Sequence, residues 1–230
     1  MLAQNSIVMD RSAVLAAAVL SQFSTGSDAE TTEDQASGSM FSFVANQEIY
    51  AEGDNAKVYY RVVSGIVRTC RFLSDGRRQI EAFYGAGDVF GLDVATSRTF
   101  GAEAVTDCTL RCYQQFKLAS DKDGAVAVPQ QLFSYAMSRL AKAQEHAMVL
   151  SRRSALERVA AFLVEWAGKS ADQDVLNLAM TRNDIGDYLG LTIETVSRTL
   201  SHLEREALIA LPTARQIEIK DVTALEELYA

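Results

Sequence analysis

The chain has 230 residues, 48% of them apolar and 23% charged, with a formal net charge of −8. That length suits one large or two modest globular domains, and the acidic balance excludes a protein that binds nucleic acid through bulk charge. The stretch 151–230 is acidic as well, with nine Lys/Arg against thirteen Asp/Glu. Any contact with DNA must therefore come from the arrangement of a few side chains. Cys70, Cys108 and Cys112 are odd in number and lack metal-binding spacing, which suits a reducing cytoplasm and no disulfide framework. The longest early apolar run, Ala13 to Leu20, is eight residues, too short to span a bilayer. No A-x-A cleavage site follows it, so neither a signal peptide nor a membrane partner is expected.

In chain order, residues 12–23 read as a short Ala-rich helix, and Ser24–Ser39 as a flexible arm too polar to bury a core of its own. Together, residues 1–39 are an N-terminal arm. From 40 to 128 the texture changes to short runs rich in Val, Ile, Tyr and Phe, broken by Gly-containing turns. Val58–Val63, Ile66–Leu73, Gln79–Phe83 and Cys108–Tyr113 are predicted strands, and their spacing points to an antiparallel sandwich or barrel. Pro129 then opens a helical period over 129–153, with Phe133, Met137, Leu140, Gln144 and Ala147 at 4-3-4-3 spacing. That stripe needs cover, either from the chain's own β domain or from the same helix of a second copy. Residues 154–230 form a compact C-terminal domain. A helix over Ala155–Gly168 presents Leu156, Val159, Ala160, Leu163 and Trp166, and a hairpin is predicted from Leu208–Leu211 and Gln216–Lys220 around Pro212–Arg215.

Residues 181–206 carry the most specific pattern. Thr181-Arg182-Asn183-Asp184 reads as a capping box, followed by Ile185, Tyr188 and Leu189 on one face and a stop at Gly190. Thr192 caps a second helix, Ile193–Glu206, so the pair makes a helix-turn-helix. Ile193, Val196, Leu200 and Leu203 form its predicted core stripe, while Glu194, Ser197, Arg198, Ser201 and His202 form the opposite face. Short hydroxyls around one Arg and one Glu suit base edges, since Arg donates twice to guanine and Glu accepts from the cytosine amino group. A structural ion pair between Glu194 and Arg198, one turn apart, is the competing use of the same residues.

From Asp184 to Arg198 the sequence closely resembles the DNA-binding motif of the CRP/FNR family of bacterial transcription regulators, and Gly87-Asp88-Val89-Phe90-Gly91 matches that family's Gly-rich turn. The resemblance implies an α+β fold. Its parts are an N-terminal antiparallel β-roll like a cyclic-nucleotide-binding domain (40–128), a long dimerisation helix (129–153) and a C-terminal winged helix-turn-helix (154–230). The pattern E-x-x-S-R at Glu194, Ser197 and Arg198 is that of the FNR branch. Carried over, Arg198 contacts guanine, Glu194 the opposing cytosine and Ser197 a thymine of a TTGAT half-site, so a symmetric dimer reads TTGAT-N4-ATCAA. Arg182, Thr192, Thr195, Ser201, His202 and Arg215 are expected to support or contact the DNA backbone. Phe133, Met137, Leu140, Gln144 and Ala147 become the expected dimer interface. The turn holding Asp75, Arg77 and Arg78 resembles the loop with which family members touch RNA polymerase; a solvated hairpin tip explains it equally well.

The sensing chemistries of the family are not matched. Residues 1–69 contain no cysteine, which rules out an N-terminal iron–sulfur cluster. Leu92 stands where a cyclic-nucleotide site needs Glu, and Thr99-Phe100-Gly101-Ala102-Glu103 offers no phosphate-binding Arg, Arg98 being a weak substitute. Cys108 and Cys112 alternate with Leu110 on one strand face, as core thiols do. His146 and His202 lie outside the β segment. No cofactor and no metal are expected. This combination resembles the FixK subgroup, which implies an activator in the low-oxygen or nitrogen-fixation response. The alternative is a regulator whose β domain binds an unidentified small molecule, haem or nitric oxide. With no nucleophile–base pair, metal spacing or phosphate loop beyond the Gly-rich turn, an enzyme is not expected.

Overall fold

The computed structural model describes residues 38–93, 95–114, 130–152, 154–169 and 174–229. The predicted helix over 12–23 and the arm as far as residue 37 lie outside the described residues, as do Pro129 and Arg153. The described chain divides into two compact units. One comprises residues 38–67 and 85–114; the other comprises 68–84 together with 130–152, 154–169 and 174–229.

The first unit is antiparallel β structure. β1 (Ser39–Phe43), β8 (Cys108–Gln114), β3 (Val58–Ser64) and β6 (Val89–Phe90) form one sheet in the order β1-β8-β3-β6. β2 (Glu48–Tyr50) pairs with β7 (Gly101–Ala104). Side chains of β8 alternate as period 2 requires, placing Cys108, Leu110 and Cys112 together in the core. Next to them, the rings of Tyr50, Tyr60 and Phe90 stack with centroids 5.3–6.1 Å apart. β1 begins at Ser39, so the end of the segment read as a flexible arm is paired strand: Ser39 lies opposite Cys112. The arm's polar composition hid this, because the apolar pattern only starts at Met40.

The second unit joins a hairpin to the helices. β4 (Val67–Phe72) and β5 (Arg78–Tyr84) are neighbours, closed by hydrogen bonds between Leu73 and the Gly76–Arg77 backbone. α1 (Gln130–Ser151) is the predicted long helix. α2 (Ala155–Ala167) is capped by Ser154, whose Oγ accepts from the Glu157 N–H at 3.1 Å, and it buries Val159, Ala160, Phe162 and Leu163. α3 (Arg182–Leu189) and α4 (Ile193–Arg205) form the helix-turn-helix. β9 (Val175–Asn177), β10 (Ile209–Ala210) and β11 (Gln216–Ile219) make a small antiparallel sheet in the order β10-β11-β9, and α5 (Val222–Glu227) closes the chain. The β10–β11 hairpin is the predicted wing, its turn held by Thr213 Oγ1, which accepts from the N–H groups of Arg215 and Gln216.

All three cysteines are buried as thiols outside any disulfide. Burial pushes the Cys108 thiol up to about 11, helped by Asp107. Burial also raises Cys112 to about 12, against opposing effects of Arg98 and Tyr60. Thiolate is the reactive form, so these are inert packing groups rather than redox switches. At about pH 8 the native protein should leave Cys108 and Cys112 unlabelled by a thiol-specific disulfide reagent, while the unfolded chain titrates all three cysteines. Rapid labelling of either residue in the folded protein would contradict this placement.

Candidate nucleic-acid interface

Local chemistry builds the helix-turn-helix. Thr181 accepts from the Asp184 N–H at 3.1 Å while the Asp184 carboxylate accepts from the Thr181 N–H at 3.0 Å, a reciprocal capping box at the start of α3. Gly190 ends α3 in the left-handed region, φ 65°, where a β-carbon is strained. Gly186 is needed for a different reason: a β-carbon there would meet the Leu191 carbonyl oxygen at 2.7 Å, so only glycine lets the turn fold back this closely. Thr192 Oγ1 then accepts from the Thr195 N–H at 3.2 Å and caps α4.

α4 packs through Val196, Thr199, Leu200 and Leu203. Ile193, read in the sequence as the first member of this core stripe, is instead 43% exposed. It is the first residue of the helix, beyond the reach of the residues that cover the later turns, and buried Thr199 takes a place in the stripe through its Oγ1 bond to the Thr195 carbonyl. The opposite face carries the predicted reading residues. Glu194 and Arg198 are exposed, and Ser197 lies between them, half-buried. Among the described residues neither charged side chain has a salt-bridge partner; the Arg198 Nε leans only towards the Glu194 backbone carbonyl at 3.4 Å. The competing ion pair is thus not made, and both charges face outward. The backbone N–H of Glu194 itself and the Thr192 hydroxyl hold the Glu194 carboxyl below its ordinary range, keeping it an acceptor.

The supporting residues divide by environment. Ser201 and Arg215 are exposed, Arg215 on the wing turn. Thr192 is exposed and Thr195 half-buried, and their hydroxyls meet each other at 3.1 Å. Arg182 is half-buried on the first turn of α3, and His202 lies 3.9 Å from Glu206. On α1, Phe133, Met137 and Leu140 are 60%, 48% and 50% exposed, and Gln144 and Ala147 are exposed too. Of the hairpin-tip residues, Asp75 and Arg77 pair with each other in solvent at 2.7 Å. Arg78 is a correction: it is not part of the exposed tip. Its Nη2 binds Asp184 at 2.5 Å and its Nε binds Asp187 at 2.8 Å, because two carboxylates of α3 lie within its reach.

Sequence reading missed the cluster around that contact. Asp184 is buried and also receives Arg68 Nη1 at 3.1 Å. Burial pushes its carboxyl up, yet the Thr181 hydrogen bonds and the Arg68 and Arg78 charges outweigh burial and hold it below its ordinary range. His146 of α1 stacks flat on Tyr188 of α3, centroids 3.9 Å apart, with Nε2 3.0 Å from the Tyr188 carbonyl oxygen. The only sequence signal for this cluster was the acidic first turn of α3.

In the β unit, Arg98 beside the Gly-rich turn is buried over the Tyr50 ring. It donates to the carbonyls of Gly91 and Val58 and to Asp93, at 2.6, 2.5 and 3.1 Å.

Comparison with known proteins agrees with this architecture. The Crp-like helix-turn-helix domain family matches residues 157–228, and the cyclic nucleotide-binding domain family matches residues 40–119. The nitrogen fixation regulation protein FixK of Azorhizobium caulinodans is 43% identical over 195 residues, covering 81% of this chain and 77% of that protein. FixK of Rhizobium meliloti is 42% identical over 182 residues, covering 79% and 83% respectively. Among solved structures, FixK2 from Bradyrhizobium japonicum superposes with a TM-score of 0.76 at 41% identity, covering 84% of this chain and 98% of that one. Among the described residues, no helix is long and apolar enough to cross a membrane.

Burial lowers the His146 pKa below its ordinary 6.5, outweighing the Tyr188 carbonyl, Glu165 and Glu81, which raise it; Arg139 adds to the lowering. The folded protein therefore prefers neutral His146. Its stability is complete above about pH 6.5 and declines as the pH falls through that value, since the unfolded chain takes up the proton more readily. His146→Phe keeps a ring on Tyr188 and removes the titration. The native melting temperature should drop between about pH 7 and pH 5.5, with a shallower drop in the variant. Equal slopes would contradict the assignment.

Proposed function

The chain belongs to the CRP/FNR family of transcription regulators and falls with its FixK proteins, and from that premise we propose that it acts as a symmetric dimer on a TTGAT-N4-ATCAA-like palindrome. In this reading it is an activator serving the low-oxygen or nitrogen-fixation response; regulation of nitrogen fixation is what the names of its FixK relatives state for them. The observation that carries the proposal is the outward face of α4. Glu194 and Arg198 face outward without a salt-bridge partner among the described residues, and Thr192 fixes their helix at its first turn. Arg198 donates to guanine, Glu194 accepts from the opposing cytosine, and Ser197 lies beside a thymine. Arg182, Arg215 and the hydroxyls of Thr192, Thr195 and Ser201 attend to the backbone, with His202 behind them.

The exposed apolar stripe of α1 supports pairing between two copies. Phe133, Met137 and Leu140 are large and outward in the isolated chain, which is the disposition of residues that a partner helix covers. Asp75 and Arg77, on the hairpin tip, are the proposed contact with RNA polymerase; Arg78 is withdrawn from it because its side chain is committed to α3. Control by a ligand of the β domain is the less favoured reading, since Arg98 is already neutralised.

Titration of the palindrome by gel shift, against a duplex whose two G·C pairs are inverted, tests the assignment. The palindrome should bind more tightly, and Arg198→Ala should erase that preference at a cost of about 1–3 kcal/mol per half-site. Equal affinity of the native protein for both duplexes would overturn it.

A further inference from the structure

The hairpin of β4 and β5 holds two parts of the second unit at once. Arg78 binds Asp184 and Asp187, and Arg68 joins at Asp184, so two cations meet two carboxylates of α3. Farther along β5, Glu81 takes both oxygens to Arg139 of α1 and also accepts from Thr69 Oγ1 of β4 at 2.8 Å. Arg139 lies over the ring of Tyr84, 4.8 Å from its centroid. On the same strand Phe83 packs on Tyr188 of α3 and Trp166 of α2, centroids 5.3 and 6.0 Å apart. Tyr188 in turn carries His146 of α1 on its ring. α1, α2 and α3 are thereby each tied to one hairpin.

By contrast, the covalent link between α1 and α2 is short, and Arg158 beside it donates to the Arg152 and Leu189 carbonyls. Ending one helix and starting the next does not fix the angle between them. The hairpin's contacts do, because they are directional and partly buried. None of them uses Glu194, Ser197 or Arg198. They leave the reading edge free while constraining where it points.

We infer that the β4–β5 hairpin is a bracket that sets the angle of the reading head against α1, with Arg78, Glu81 and Arg139 as positioning residues for palindrome recognition. The inference rests on the two-headed reading above. Two heads at a fixed spacing bind a palindrome with the benefit of effective concentration, and that benefit is lost when each head swings independently. A single half-site needs only one intact reading edge, so it is indifferent to the bracket.

The test uses the full chain and two duplexes, the palindrome and one in which the second half-site is scrambled, read by fluorescence anisotropy beside a thermal melt. Arg139→Glu should weaken palindrome binding about tenfold or more while half-site binding stays near the native value, because Arg139 and Glu81 lie outside the helix-turn-helix. Combining it with Glu81→Arg should restore palindrome binding by exchanging the charges of the pair. Palindrome affinity unchanged in folded Arg139→Glu, or half-site affinity falling in parallel, would overturn the bracket as a positioning device. A native protein with no preference for the palindrome over the half-site would overturn the two-headed reading, and the bracket with it.

Discussion

Asp184 is a buried carboxylate at the start of the helix-turn-helix, and the reading head's position depends on how that charge is satisfied. An isolated carboxylate in such a place costs several kcal/mol. Here its oxygens receive the Thr181 backbone N–H and hydroxyl, the Arg68 guanidinium and the Arg78 guanidinium. One residue therefore performs a local task, capping α3, and a distant one, docking α3 on the β4–β5 hairpin. The two tasks are coupled. The helix that presents the turn to α4 is held by the same atoms that anchor it to the rest of its unit, so local order and orientation are secured together.

This coupling explains which features were legible in the sequence. Caps and stops are short-range devices: Thr181, Gly190 and Thr192 announce themselves by residue type and offset, and each occupies the expected place. The alternation of Cys108, Leu110 and Cys112 was readable for the same reason, since period 2 needs only neighbours. The outward polar face of α4 was legible from its unusual short hydroxyls, and Glu194 and Arg198 on it are exposed. The Arg78–Asp184 contact was not, because its partners are 106 positions apart and each looks like an ordinary surface charge. Arg78 sat beside Asp75 and Arg77 in an apparent solvent turn, and only the tertiary fold separates it from them. Ile193 misled in the opposite way: periodicity counts it as core, but a first-turn residue has no covering layer. The short strands β2, β6, β7 and β9 were missed, because strands of two to four residues show too little alternation unless, as for β10 and β11, a turn signal joins them as a hairpin.

The chain matches the cyclic nucleotide-binding domain over 40–119. Within that span Arg98 is turned inward onto Tyr50 and bound to Asp93 and two carbonyls. A phosphate would have to displace a buried charge from three existing partners, which costs more than binding to a vacant guanidinium. The stacked rings of Tyr50, Tyr60 and Phe90 add a packed interior beside it.

The central claim is that two reading heads act together on one face of DNA. Hydroxyl-radical footprinting of the native protein on a duplex carrying TTGAT-N4-ATCAA tests it most directly. The account predicts two protected patches, related by the two-fold axis of the site and about one helical turn apart. A single patch, or two patches without that symmetry, would contradict it.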